Sequence, residues 1–538
     1  MLSQELPWWK KTVIYHIYPR SFQDSNHDGI GDIKGIIQRL DYLQELGVET
    51  IWFSPFFQSP QQDFGYDISN YRTIAPEYGT LEDVDQLIAQ IHQRGMKIML
   101  DMVMNHTSDQ HEWFKESCQS KDNPKSDWYM WRDGKGNRPP NNWKSIVWGK
   151  GWHYHPKRKQ WYYSSFLPFQ PDLNYRNPEV QQEMFDTVRY WLDKGIDGFR
   201  LDIFNCILKD EQWRDNPWTP NPIPSVEWPG GNFQIRKYSL NQDDNFEFAQ
   251  KLRNVVDEYG PNNRFLLGEV FGDKSTVRKY LGNQDGLHLI FLFETMYFKF
   301  KAKWFKNTIQ ELENEFPAPL IPTWVLGNHD IYRYIRRVQN DLTKAKLIAL
   351  IQLTVRAVPT IYFGDEIGII NAIIPRNEAK DPMAAVFHWL PDFLLKFSPV
   401  SINRDVCRTP MQWDNSQFCG FSDTKPWLSI TAESDKRNVT QMKSDPESLL
   451  NWYKLIIALR KKHSALHQGK FTMKTSDKNL LHFERSFEQE RIAVLVNFSD
   501  SVQIVDIKGQ LLAASFTQSP EIQSFISMPA HSGALILL

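Results

Sequence analysis

Residues 198–205 read Gly-Phe-Arg-Leu-Asp-Ile-Phe-Asn. The apolar side chains Phe199, Leu201 and Ile203 alternate with Arg200 and Asp202, a period of two that predicts a buried strand. Arg200 and Asp202 then share one face, where the guanidinium can hold the carboxylate ionised and aimed. An unpaired buried charge is very costly, so the pairing has a physical reason. An ionised, oriented carboxylate at a strand end has the form of a nucleophile for glycoside cleavage. A structural ion pair has the same form, and this stretch alone does not choose between them.

The elements that must position these groups alternate along the chain. Strands are expected at residues 13–18, 49–55, 97–103, 198–205, 264–270, 287–293, 323–330 and 358–363. Helices are expected at 33–46, 81–94, 178–194, 246–259 and 343–356. Eight strands alternating with helices predict an α/β chain built on a (β/α)₈ TIM barrel. The barrel takes residues 1–104 and 176–462. A Trp-, Tyr-, Asn- and Pro-rich stretch at 105–175 is too long for a bare loop and reads as an inserted subdomain after strand 3. Residues 463–538 switch to short alternating strands, a C-terminal antiparallel β-sandwich. Barrel active sites lie at the C-terminal strand ends. Asp101 and His106, Arg200 and Asp202, Glu269, and His329 and Asp330 all fall there. Carboxylates so gathered repel, which raises at least one pKa. One carboxyl kept ionised beside another kept protonated is what glycosidic cleavage requires.

Composition narrows the class. A net charge of -2 gives no electrostatic reason to expect nucleic acid or an anionic membrane as partner. Aromatics are abundant, with 20 Trp, 20 Tyr and 34 Phe. They suit stacking on sugar rings, although taken alone a large aromatic core is the simpler account. Cys118, Cys206, Cys407 and Cys419 are too few and scattered for a disulfide framework. Neither an export signal nor an apolar run long enough to span a membrane is visible, so a cytoplasmic location is expected. Residues 24–32 place Asp24, Asn26, Asp28 and Asp32 around a glycine turn. That density of hard oxygens suits Ca²⁺ or Mg²⁺. Gly35 stands where an EF-hand needs its bidentate Glu, so the loop is a different kind of metal site or a plain Asx-rich turn.

Further segments carry a family likeness: Asp101-Met-Val-Met-Asn-His106, Gly198-Phe-Arg-Leu-Asp202, Gly268-Glu-Val270 and Gly327-Asn-His-Asp330. With them go Gly65-Tyr-Asp-Ile68, Gln170-Pro-Asp-Leu-Asn174, Gly364-Asp-Glu-Ile-Gly368 and Arg404-Asp-Val-Cys-Arg-Thr-Pro-Met-Gln-Trp413. Together they resemble the α-amylase superfamily of glycoside hydrolases (family 13), in its α-glucosidase and oligo-1,6-glucosidase branch. The resemblance covers nearly the whole chain. It implies Asp202 as nucleophile, Glu269 as acid/base and Asp330 as transition-state stabiliser. His106, His329 and Arg200 would bind the sugar and tune the acids. Tyr66 would stack under the ring, Phe166 would line the pocket, and Asp63 with Arg404 would grip the non-reducing end. It strengthens the Ca²⁺ reading of Asp24, Asn26, Asp28 and Asp32, and adds the Ile30 carbonyl. The expected activity is exo-acting release of α-glucose from small oligosaccharides with retention, without an organic cofactor, by a monomer or homodimer. Transfer of glucose to sugar or alcohol acceptors is the alternative.

Within that branch, Val after the nucleophile goes with α-1,6 bonds, and Ala or Thr with α-1,4 bonds. Ile203 is closest to Val. The long stretch at 208–242, with Arg214-Asp-Asn-Pro217, looks more like α-1,4-acting and transglucosylating members, so the two signals conflict. The Arg/Asp-rich loop expected of sucrose isomerases is not seen.

Overall fold

Eight parallel strands form the centre of the computed structural model, which describes residues 6–147, 149–222, 230–386, 402–474 and 477–538. In chain order they are β1 (Ile14–Ile17), β2 (Thr50–Phe53), β3 (Lys97–Val103), β4 (Gly198–Asp202), β5 (Phe265–Glu269), β6 (Leu289–Phe291), β7 (Thr323–Val325) and β8 (Val358–Tyr362). The hydrogen-bonded order runs β6-β5-β4-β3-β2-β1-β8-β7. Sequential parallel neighbours are what βαβ crossovers produce. The seam between β6 and β7 is bridged by side chains. Thr323 Oγ1 donates to the Ile290 carbonyl (2.6 Å) and accepts from Leu292 N–H (3.2 Å), while Thr295 Oγ1 donates to the Val325 carbonyl (2.6 Å). The strands are buried from end to end, as expected of a parallel sheet wrapped by helices.

The helices start and stop where local chemistry dictates. Thr80 and Asp83 form a capping box on helix Leu81–Gln93. Asn177 caps Pro178–Asp193, with proline at its first position. The continuous helix expected at 33–46 divides at Arg39 into Ile33–Gln38 and Leu40–Leu46. Arg39 reaches away to Gln23 (2.6 Å) and lies over the Trp413 ring, so its contacts belong to other parts of the chain. The sixth and seventh strands are shorter than expected: β6 (Leu289–Phe291) passes into the 3₁₀ turn Phe293–Tyr297, and β7 ends at Val325, before the polar Gly-Asn-His-Asp segment.

Between β3 and helix Pro178–Asp193, three short strands (Trp131–Arg132, Trp152–His155 and Gln160–Tyr163) pair antiparallel. Met130, Trp143, Trp152 and Tyr163 pack there as a small aromatic core, with Trp213 from the excursion after β4 stacked on Trp143. Residues 223–229 of that excursion lie outside the described residues.

The C-terminal strands are β9 (Lys470–Met473), β10 (Leu480–Phe487), β11 (Glu490–Asn497), β12 (Gln503–Asp506), β13 (Gly509–Ala514), β14 (Glu521–Ile522), β15 (Phe525–Met528) and β16 (Ser532–Leu537). Six form the antiparallel sheet β9-β10-β11-β16-β13-β14, and β12 pairs with β15. Leu480, Leu495 and Ile536 pack with Val505, Ile526 and Met528 to make the core between the two sheets. The opposite face, with Leu481, Phe483, Val494 and Leu535, joins the main core. Two arginines reinforce this junction. Arg485 on β10 donates to the carbonyls of Thr354, Leu466 and Gly469, and Arg460 on helix Leu449–Lys462 donates to those of Leu353, Ala357 and Leu466.

Candidate active site

β3, β4 and β5 bring four charged groups to one point. The register sets Asp101 beside Arg200, and Val103 beside Asp202. Arg200 Nη1 donates to Asp101 Oδ1 (2.8 Å) and Oδ2 (2.9 Å), and to Asp202 Oδ1 (2.7 Å). Its Nη2 donates to Glu269. One buried cation thus serves three buried carboxylates. β4 stops because Ile203 adopts a left-handed conformation (φ 44°), a strained choice for a β-branched residue. That turn aims the Ile203 N–H at Glu269 Oε2 (3.2 Å).

Burial raises the Asp202 pKa well above the ordinary carboxylate range. Glu269 and Asp101 add to the rise and Arg200 opposes it. Burial also raises Glu269, with repulsion from Asp330 adding, and lifts Asp101 to about 6. Repulsion alone was the cause argued from sequence; removal of water is the larger one. Asp202 and Glu269 both accept from Arg200 and so lie side by side, each acting on the other's pKa. A pair so placed shares one proton, leaving one member acid and the other ionised.

Aromatic and imidazole rings surround these charges. His329 Nε2 lies 3.2 Å from Asp330 Oδ2, and its ring is parallel to Tyr66, with centroids 5.1 Å apart. Tyr66 Oη donates to Asp101 Oδ2 (3.0 Å). His106 Nε2 meets the Tyr66 carbonyl (3.1 Å), and Phe166 lies 5.5 Å from the His106 ring. Burial lowers the pKa of both His106 and His329, so both imidazoles are neutral at neutral pH.

Arg404 closes one side. It donates to Asp63 Oδ1 (2.6 Å) through Nη2 and to Asp330 Oδ1 (3.2 Å) through Nη1. Gln170 Nε2 donates to Asp63 Oδ2 (3.0 Å), bringing the inserted segment to the same point. All ten substrate and catalytic residues expected from sequence therefore fall in one connected set. Three more belong to it. Arg408 donates to Asp330 Oδ1 (3.2 Å) and to the His329 carbonyl. Asp381 accepts from Arg404 Nε, Nη2 and backbone N–H, fixing that guanidinium. Gln170 is the third. Gln170 and Arg408 stand inside segments singled out from sequence, whereas Asp381 had no signal beyond an Asp-Pro helix start. Arg333, the arginine following the His329-Asp330 pair, is not in the set. It is buried between the Tyr362 and Phe363 rings and donates to the Phe363 carbonyl.

The loop at 24–32 lies apart from this cluster in its contacts. Asp24 accepts from the N–H groups of Asn26, His27 and Gly29 and from Ser422 Oγ. Asp32 accepts from Ser25 N–H and Oγ and from Gly35 N–H. Asp28 accepts from Ile30 N–H and Asn26 Nδ2. Among the described residues, no group of three or more His, Cys, Asp or Glu converges as a metal cluster.

A (β/α)₈ barrel with two buried carboxyls sharing an arginine at its C-terminal rim has the parts of a retaining glycoside hydrolase. The family model of the α-amylase catalytic domain matches residues 16–469, and the chain belongs to this family. A probable α-glucosidase of Rhizobium meliloti (strain 1021) is 40% identical over 518 residues, covering 93% of this chain and 91% of that protein. An oligo-1,6-glucosidase of Parageobacillus thermoglucosidasius is 35% identical over 536 residues, 94% of this chain and 93% of that protein. The crystal structure of an α-glucosyl transfer enzyme, XgtA, superposes with a TM-score of 0.90 at 35% identity, covering 99% of this chain and 100% of that chain.

Proposed function

We propose that this glycoside hydrolase is a retaining, exo-acting α-glucosidase that releases α-glucose from the non-reducing end of short gluco-oligosaccharides. The observation that carries the exo reading is the Asp63–Arg404–Asp330 chain, tied down by Asp381, Arg408 and Gln170. It walls one side of the Asp202–Glu269 pair with donors and acceptors suited to the hydroxyls of a terminal glucose.

Asp202 attacks the anomeric carbon as Glu269 gives its proton to the leaving oxygen; the C1–O bond to the leaving group breaks and a C1–Oδ bond forms. Glu269, now ionised, takes a proton from water, which attacks C1 and releases Asp202. Two inversions give net retention. Attack requires the shared proton on Glu269; Arg200, bonded to Asp202 Oδ1, opposes the upward push of burial on Asp202 and favours its ionised form, and Asp330 stabilises the oxocarbenium-like state through the sugar hydroxyls. Tyr66 and Phe166 supply the apolar walls, and neutral His106 and His329 hydrogen-bond without adding positive charge. No organic cofactor enters these steps. Glucose release from maltotriose with maltose as co-product, followed by chromatography, tests the exo reading; internal cleavage products would overturn it.

Transfer to a sugar or alcohol acceptor uses the same intermediate. The likeness to an α-glucosyl transfer enzyme favours it as the second reading. Ile203, beside the acid and shaped like Val, favours α-1,6 bonds. The four cysteines are free and fit the cytoplasm. No described helix is long and apolar enough to cross a membrane. A monomer or homodimer is the proposed assembly.

Asp24, Asn26, Asp28, the Ile30 carbonyl and Asp32 are proposed to hold a structural Ca²⁺ or Mg²⁺. The donors are all hard oxygens, and Asp28 and Asp32 keep lone pairs unused by the loop. Asp24 already accepts four hydrogen bonds and would exchange one for the ion. Chelator should lower the melting temperature by several degrees and added Ca²⁺ restore it; an unchanged melting curve contradicts the site.

A further inference from the structure

A second buried network lies beside the site, and its donors and acceptors admit one arrangement only. Lys209, seven residues after Asp202, is fully buried. Its Nζ lies 2.5 Å from Asp172 Oδ2 and 2.8 Å from Asn105 Oδ1. Asp172, in the inserted segment, is anchored by Ser165 N–H (2.8 Å) and Oγ (2.5 Å). Asn105 Nδ2 in turn lies 3.2 Å from His106 Nδ1. His106 Nε2 faces the Tyr66 carbonyl at 3.1 Å.

An ammonium group only donates. Asn105 must therefore present its oxygen to Lys209 and its NH₂ to His106. A ring nitrogen facing an NH₂ group must accept, so Nδ1 is bare and the proton sits on Nε2. The far end agrees independently, because the Tyr66 carbonyl can only accept and needs a proton on Nε2. We infer that Lys209 is a positioning residue for this enzyme: through Asn105 it locks His106 as the neutral Nε2–H tautomer, with that N–H held at the Tyr66 carbonyl among the residues read as sugar-binding. The tautomer follows from the network alone; its consequence for turnover rests on the reading of His106 as a sugar-binding group.

The network also joins three separate parts of the chain. The anion comes from the inserted segment, the cation from the excursion after β4, and Asn105 and His106 from the end of β3. Correct docking of the inserted segment is thereby read out at a single imidazole proton. With Lys209 replaced, the Asn105 amide is free to turn its oxygen toward His106, and the Tyr66 carbonyl is left as the single group favouring the Nε2–H form, so the Nδ1–H tautomer becomes accessible.

The test is ¹⁵N NMR of the full chain labelled at histidine, with the His106 signals assigned by their loss in His106→Gln. In the parent protein Nδ1 should resonate in the unprotonated, pyridine-like range and Nε2 in the protonated, pyrrole-like range. Asn105→Asp is the decisive variant because it keeps the shape but can only accept. It should move Nδ1 into the protonated range and lower kcat/KM about tenfold. Lys209→Met should give averaged or doubled signals, and Asn105→Asp keeps the test open if that variant does not fold. A parent His106 protonated at Nδ1 overturns the inference, as does an Nε2–H form that persists in Asn105→Asp. If the nitrogen signals move as stated but kcat/KM does not, the tautomer lock stands and the sugar-binding role of His106 fails.

Discussion

Arg200 and Arg485 are both buried arginines, yet they meet opposite partners. Arg200 faces three carboxylates at the barrel rim, and these hold its pKa well above the usual value against the pull of burial. Arg485, with Arg460 beside it, faces only backbone carbonyls at the junction with the C-terminal sheet, and burial pushes it down to about 9. In the first region negative charge is in excess, so a proton must be held and can be delivered. In the second, permanent donors satisfy carbonyls near the end of helix Leu342–Thr354, and no proton moves. The same side chain makes a reactive site where its partners titrate and a structural clamp where they do not.

That contrast predicts different failures. Asp202→Ala should reduce kcat about 10⁴-fold or more, and Glu269→Gln about 10³-fold. Neither should lower thermal stability, because each removes a buried like charge; a calorimetric scan beside the kinetics checks this. Arg485→Ala should do the reverse. Stripping donors from three buried carbonyls costs about 3 kcal/mol in chemical denaturation, while kcat/KM of the folded protein stays within about twofold. If Arg485→Ala altered catalysis and left stability unchanged, the distinction between the two regions would collapse. Asp63→Ala is the smallest effect. It should lower kcat/KM about 10- to 100-fold, chiefly through KM, because it removes a binding contact and leaves the proton-sharing pair intact.

The two regions were not equally legible from the chain. β3 coincides with its expected residues 97–103, because Asp101 is the one charge inside an otherwise apolar run that follows Lys97. Asp202 and Glu269 were readable because each ends a largely apolar strand, whereas Asp330 lies beyond the end of β7 and was readable from the Gly327-Asn-His-Asp330 motif. Asp381 was not, since it acts by fixing an arginine 23 residues later in the chain. Lys209 and Asp172 met the same obstacle: each looks like an ordinary surface charge until the fold buries both. At the junction, Arg460 sits among the basic residues ending its helix and Arg485 alternates in a strand with Phe483 and Phe487. Neither has an acidic residue on its own face to mark it: Glu484, next to Arg485, points to the other side of the strand. Strands β9, β13, β14 and β15 are short, and β9 and β13 are mostly half-exposed, so little in their own sequence marks them. Charges that pair within a strand announce themselves; those that pair across the fold do not.

The most direct measurement is proton NMR of the enzyme mixed separately with isomaltose and with maltose, recording the first-formed glucose anomer before mutarotation. The Arg200-centred pair, with Asp202 attacking and Glu269 supplying the proton, predicts α-glucose from at least one of the two sugars. Isomaltose is the faster if Ile203 governs linkage, and maltose if the excursion after β4 does. β-Glucose formed first would mean direct attack by water and would contradict a covalent intermediate on Asp202.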